Sequence, residues 1–256
     1  MPYNRSPVAD PRTVAREIPG ICDSMFPQLT GGLVAQLNRR THSCAGVEPI
    51  PYDMVSASSV KPSMLFELAV ARGQQIVTGR AEADWGECLS IATDRQKRHF
   101  DAQIPRALGE VDMAVAEWVG GNLARMLDHL RVENPGGDLV HSPRIVGYQW
   151  ISSSEGDFAL GQRLVEVKCT SGNFGSADFR QVLMYWLLSY AGSVERDYRE
   201  WEDCVLLNPR LNHMLEISFD EVIGLSGGGR SKVEILEMFA FVVGEYGLKA
   251  VSDFDL

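Results

Sequence analysis

The chain has 256 residues, 45% of them hydrophobic and 23% charged, and its 24 Lys and Arg against 34 Asp and Glu give a formal net charge of −10. This composition excludes a disordered or collagen-like chain, and the length suffices for one or two domains whose core needs neither disulfides nor a metal staple. The acidic balance excludes a protein that coats nucleic acid by bulk electrostatics, while leaving room for a local basic groove.

In chain order, the first twenty residues hold four prolines and no apolar signal core, so the expected location is the cytoplasm. Residues 1–60 are rich in Pro, Ser, Gly and Asn, with short apolar groups such as Gly32–Leu37, and read as an irregular arm with one or two short helices. His42 and Cys44 form an H-x-C pair without a second pair at zinc spacing, and the five cysteines include no C-x-x-C. A reduced compartment and no structural zinc are expected. Met64, Leu65, Leu68 and Ala69 fall at helical spacing behind Pro62 and Ser63, predicting a helix that ends near Gly73. Ile91–Arg106 carries Arg95, Lys97, Arg98, His99 and Arg106, the densest basic run in the chain. It reads either as a solvated helix face or as a path for nucleic acid.

After Gly109, the positions Met113, Ala116, Val119, Leu123, Met126, Leu127 and Leu130 predict a long amphipathic helix, stopped by Asn134–Asp138. Three strands are predicted next, over Arg144–Ile151, Gly156–Leu160 and Arg163–Cys169, with Gly161 and Gln162 as the turn between the last two. A small-residue loop leads into a helix over Ala177–Ala191. Its apolar run Val182–Leu188 is the longest in the chain, far short of the ~18 residues of a membrane span. Strands at Cys204–Leu207 and His213–Phe219 and an apolar helix over Ser231–Tyr246 complete the chain.

One segment, Gly156 to Lys168 (GDFALGQRLVEVK), concentrates chemistry. Along a strand, Glu166 and Lys168 project to one face with Leu164, while Val165 and Val167 face the other way. A carboxylate and an ammonium on a strand that otherwise reads as buried are costly unless they are paired or bind metal. The preceding hairpin brings Asp157 alongside Glu166. Two converging carboxylates make a hard oxygen site suited to Mg²⁺ or Mn²⁺. The plain alternative is a surface hairpin with an ordinary Glu166–Lys168 ion pair.

This segment resembles the PD-(D/E)XK nuclease superfamily, with Asp157 at the acidic position, Glu166-Val167-Lys168 as the (D/E)-x-K element, and Gln181 in the following helix. The resemblance covers about residues 110–220 in the order helix, three strands, helix, strand. It departs from the pattern at Gly156, which stands where the family often has proline. The resemblance implies a restriction-endonuclease-like α/β fold, a mixed sheet flanked by helices, over residues 107–256, with residues 1–106 as a mostly helical extension. It implies a metal-dependent nuclease acting on DNA, with Asp157, Glu166 and the Val167 carbonyl as metal ligands. Lys168 would be the catalytic ammonium, with Gln181 orienting it. An acidic residue of the upstream helix often completes such a site. Glu117 is the candidate here, beside Gly120 and Gly121 where that helix can approach the sheet, and Glu110 and Asp112 are rivals. Arg180 is expected on the nucleic-acid backbone. Expected partners are DNA before RNA, and a second copy or a partner protein of a defence or repair system, with no membrane. The alternative is a member that has lost chemistry and serves as a nucleic-acid-binding or assembly subunit.

Two further features read as structural. Gly224–Ser231 has P-loop spacing, but Arg230 stands where the P-loop lysine belongs. Val182, Trp186 and Tyr190 share one helical face, so the aromatic density of Tyr185, Trp186, Tyr190, Tyr198 and Trp201 is expected to pack against the sheet instead of stacking on bases.

Overall fold

Asp10 and Thr30 open the first helices by capping: the Asp10 carboxylate accepts the backbone N–H of Arg12 and Thr13, and the Thr30 hydroxyl accepts that of Leu33. The computed structural model describes residues 9–96, 105 and 107–252, so Lys97, Arg98, His99 and Arg106 lie outside the described residues. Where an irregular arm with one or two short helices was expected, four short helices occur: α1 (Pro11–Glu17), α2 (Pro19–Met25), α3 (Gly31–Asn38) and α4 (Tyr52–Ser56). None is long enough to show a clear helical period. The first three are held by what they bury, since Val14, Ala15, Ile21, Met25 and Leu37 join the apolar layer of the core, while α4 has no buried residue.

Three longer helices follow, α5 (Pro62–Val77), α6 (Trp85–Gln96) and α7 (Glu110–Glu133). Gly73 does not end α5, as its sequence position suggested. It lies inside the helix at a close crossing with α7, where a Cβ would come within 2.9 Å of the Leu123 side chain. Gly120 is its counterpart: a Cβ there would stand 2.9 Å from the Ala69 carbonyl oxygen and 3.0 Å from the Gly73 nitrogen. The glycines therefore let α7 approach α5, not the sheet.

The strands are β1 (Leu139–His141), β2 (Arg144–Ile145), β3 (Ser154–Glu155), β4 (Phe158–Leu160), β5 (Arg163–Val167), β6 (Asp203–Asn208) and β7 (His213–Ser218). The helix α8 (Ser176–Arg196) links β5 to β6, and α9 (Phe219–Ser226) and α10 (Lys232–Ser252) close the chain. Five strands form a mixed sheet in the order β1-β4-β5-β6-β7. Only β5 and β6 pair in parallel, across the α8 crossover; the other neighbours are antiparallel. Gly161, at φ +61°, makes the β4–β5 turn. The predicted strand over Arg144–Ile151 is only half formed. Its start pairs with β3 outside the main sheet, and the chain then turns at Gly147, where a Cβ would collide with backbone at 2.5 Å. The edge strand β1 was not anticipated because it is short and bounded by the turn-rich run that ends α7.

Helices cover both sheet faces. Val165, Val167, Val205 and Leu207 pack against Leu123, Met126, Leu127 and Leu130 of α7. Leu164, Cys204, Leu206, Leu215 and Ile217 face α8, with α1, α2, α3, α9 and α10 around it. Trp186, fully buried, stacks on Tyr190 at 5.4 Å and meets Phe26 and Phe219, so this aromatic face is core. The protein is thus mixed α/β, an N-terminal helical region followed by a five-stranded mixed sheet with flanking helices. The first three helices share one apolar layer with α8, which makes the N-terminal region integral to that layer. Among the described residues no helix is long and apolar enough to cross a membrane.

Candidate metal centre

Glu166 stands at the C-terminal end of β5, on the face that looks toward α8. The β4–β5 register pairs Phe158 with Val165. Continued by one step it sets Asp157 across from Glu166, with both side chains on the same face. Asp157 is held there by its own strand partner, its Oδ2 accepting the Val167 N–H at 2.8 Å. The Lys168 N–H continues the parallel ladder to the Leu207 carbonyl at 2.7 Å, so the D…E-x-K segment is anchored on both sides.

Three donors converge on one oxygen of Glu166. Lys168 Nζ donates to Oε1 at 2.9 Å, Arg12 Nη2 donates at 3.3 Å, and Gln181 Nε2 donates to the same atom. Glu166 is completely buried, and its other oxygen, Oε2, has no hydrogen-bond partner. Lys168 Nζ also donates to Gln181 Oε1 at 2.9 Å. Gln181, buried on α8, spends its amide bridging Glu166, Lys168 and the Tyr185 hydroxyl, which accepts from Nε2 at 3.0 Å. Beside this cluster Asp178 caps α8 through the Gly175 N–H and accepts Arg16 Nη2 at 2.9 Å.

The electrostatics divide the carboxylate pair. Burial, and then the negative Glu166 across the strands, push the Asp157 carboxyl up to about 7. Glu166 is also disfavoured as an anion by burial, but Lys168 and Arg12 outweigh this and hold it below the usual carboxylate range. One carboxylate is thus fully ionised and the other is poised.

Two carboxylates, one with an orphaned buried oxygen, together with the Val167 carbonyl at the strand end, form a hard-oxygen donor set. That suits a small divalent ion that completes its shell with water and substrate phosphate. Among the described residues no group of three or more His, Cys, Asp and Glu side chains forms a self-sufficient metal cage. An ion held by these two carboxylates would complete its shell with water and with oxygens of a ligand.

The structure brings together Asp157, Glu166, Lys168 and Gln181. It does not bring Glu117 to them: Glu117 chelates Arg72 at 2.6 and 3.0 Å on the side of α7 that faces α5, across the sheet from Glu166. Of its rivals, Asp112 is consumed by Ser58, Ser59 and Gly109, and Glu110 is exposed at the start of α7. Arg180 is bound to Asp23 at 2.9 Å and Arg95 to Glu67 at 3.3 Å. His42 pairs through its backbone with Met214, and Arg230 at the glycine loop donates to the Ser24 and Met25 carbonyls of α2. Three participants were not foreseen. Tyr185 was readable, since it stands four residues after Gln181 on the same helical face. Arg12 and Arg16 were not, because they reach the cluster from 154 and 162 residues away. Comparison with family models, with curated proteins and with solved structures finds no match to this chain.

Proposed function

We propose that this protein is a metal-dependent nuclease of the PD-(D/E)XK type, with a restriction-endonuclease-like fold, that hydrolyses DNA phosphodiesters with Mg²⁺ or Mn²⁺. The reading is carried by the fully buried Glu166, set across from Asp157, with one oxygen crowded by three donors and the other left without any. It is supported by the order of elements: α7, the β4–β5 hairpin, the α8 crossover and β6 in parallel with β5, although the first strand expected after α7 pairs outside the main sheet and β1 takes the edge position.

In this reading Asp157, Glu166 and the Val167 carbonyl hold the ion, which when bound polarises the scissile phosphate and acidifies the attacking water. Lys168 has three N–H donors and spends two, on Glu166 and Gln181. The third has Asp178 Oδ1 at 4.0 Å, beyond hydrogen-bond length, and is left to donate to the attacking water or to a phosphate oxygen as negative charge builds up. Gln181 fixes the Lys168 ammonium, and Tyr185 fixes the Gln181 amide, so the donor is oriented before the reaction begins.

The second reading, a nuclease-fold subunit without chemistry that binds nucleic acid or a partner protein, is favoured by one observation: Arg12, Lys168 and Gln181 already neutralise and enclose Glu166. A cleavage panel separates the two. Purified protein with Mg²⁺ or Mn²⁺ is offered single-stranded, double-stranded and branched DNA, and RNA. The nuclease reading expects cleavage that EDTA abolishes and that Lys168→Ala lowers by about 10²-fold with DNA affinity kept. No cleavage of any substrate, or equal cleavage by wild type and variant, transfers the assignment to the second reading.

A further inference from the structure

We propose that Arg12 is the resident counter-cation of the Asp157–Glu166 pair and that α1 is a latch which a divalent metal ion displaces. The inference rests on the metal-site reading above and adds a regulatory element to it. Glu166 and Gln181 are completely buried, Lys168 is 7% exposed and Asp157 is half-buried, so as it stands the cluster offers a phosphodiester little surface on which to land. Some element must move, and the observations single out α1.

Of the two cations on Glu166, Lys168 is fixed by the strand that also carries Glu166. Arg12 arrives from a separate helix, through a 3.3 Å contact with Glu166 and a hydrogen bond to the Tyr185 hydroxyl, with 31% of its side chain exposed. Its guanidinium also lies within electrostatic reach of Asp157 and of Glu67 on α5. The same carboxylates are the ones a metal ion would seek. Charge balance sets the two occupants against each other: the carboxylates Asp157, Glu166 and Asp178 are already faced by three cations, Lys168, Arg12 and Arg16, and a divalent ion added to that set would leave excess positive charge beside the Arg12 guanidinium in a poorly hydrated site. Withdrawal of Arg12 into water relieves this at small cost, since its side chain is already partly solvated.

The helix is built to release. α1 has only seven residues, too short to persist by itself, and its buried anchors are Pro11, Val14 and Ala15. Arg16, one turn after Arg12 on the same face, fastens it a second time through Asp178 at 2.9 Å. Metal entry removes the first fastening, leaves Asp178 to hold the second, and uncovers the Glu166–Lys168 face for substrate.

The test is a Mn²⁺ titration followed by electron paramagnetic resonance on the full chain, for wild type, Arg12→Gln, Arg16→Gln and Asp157→Asn. Hydrogen exchange over residues 11–17 is measured with and without Mn²⁺. The latch requires Arg12→Gln to bind Mn²⁺ about tenfold tighter than wild type, the scale of losing one partly screened charge competitor. Arg16→Gln should tighten binding by a smaller factor, and Asp157→Asn should abolish it. In wild type, saturating Mn²⁺ should speed amide exchange in α1. Wild type and Arg12→Gln binding Mn²⁺ equally, with Asp157→Asn still abolishing it, overturns the latch and leaves the metal site standing. Unchanged α1 exchange on Mn²⁺ binding overturns the latch even if Arg12→Gln fails to fold. No Mn²⁺ binding by any form overturns both readings together.

Discussion

Replacing Asp157 by asparagine should stabilise the metal-free protein at alkaline pH, although the residue is assigned to the functional centre. The Asp157 carboxyl is displaced from 3.8 to about 7 by burial and by Glu166. At 1.36 kcal/mol per unit that is roughly 4 kcal/mol of unfavourable ionisation in the folded state. Asp157 is only half-buried, so solvent screens part of this and about 2 kcal/mol remains. Asparagine keeps an oxygen for the Val167 N–H, and the favourable effect of that bond on the charged form is already contained in the displacement. The net expectation is a gain of about 2 kcal/mol at pH 8. The sign follows from proton uptake. Between pH 4 and 7 the folded protein retains a proton that the unfolded chain has lost, so wild-type stability falls as pH rises through this window and is level above it. Asp157→Asn lacks this slope, and the two proteins converge near pH 4. Urea unfolding at pH 8 and at pH 4.5 measures it, and adding millimolar Mn²⁺ should reverse the ranking by stabilising wild type alone. A destabilised Asp157→Asn at pH 8, or a difference independent of pH, refutes the electrostatic argument.

Lys168→Ala removes one of the three donors on a buried carboxylate and should cost about 2 kcal/mol, below the 3–5 kcal/mol of a fully orphaned charge because Arg12 and Gln181 remain on Glu166; urea unfolding gives the value. Glu117→Gln should leave Mn²⁺ binding unchanged, because Glu117 serves the buried Arg72 guanidinium; a weakened titration would return it to the centre. Gly120→Ala places a methyl against the Ala69 carbonyl and the Gly73 nitrogen and should lose about 2–3 kcal/mol by thermal or urea unfolding. Asp112→Ala strips the acceptors from Ser58, Ser59 and Gly109 and should cost about 2–3 kcal/mol at neutral pH. The wild-type carboxyl is held below its ordinary value because these hydrogen bonds outweigh the opposing burial. The Asp112 contribution is therefore present above the unfolded carboxylate range and lost as pH falls through the lower folded one, so the difference should shrink in acid.

What was legible in the sequence was whatever local periodicity or spacing encodes. The apolar repeat of α7 and the Gly161 turn between two short strands were readable in that way. So was the i, i+2 relation of Glu166 and Lys168 on β5, because each depends on neighbours within a turn or a hairpin. Long-range packing was not legible. The Gly73–Gly120 crossing looked like a helix end on one side and an approach to the sheet on the other, since a glycine's sequence position does not say which backbone comes close. Glu117 looked available because its partner, Arg72, lies 45 residues earlier. Arg12 belongs to a helix of one buried stripe and two turns, with no periodic signal, and its relation to Glu166 exists only once the arm folds over α8.

The central claim is that Asp157 and Glu166 share a divalent ion, and diffraction from a crystal soaked in Mn²⁺ tests it most directly through the anomalous signal. The account expects one anomalous peak about 2.1–2.3 Å from oxygens of both Asp157 and Glu166, with the Arg12 guanidinium drawn away from Glu166. A map with no peak between the two carboxylates, and Arg12 still bonded to Glu166 Oε1 at saturating Mn²⁺, would contradict it.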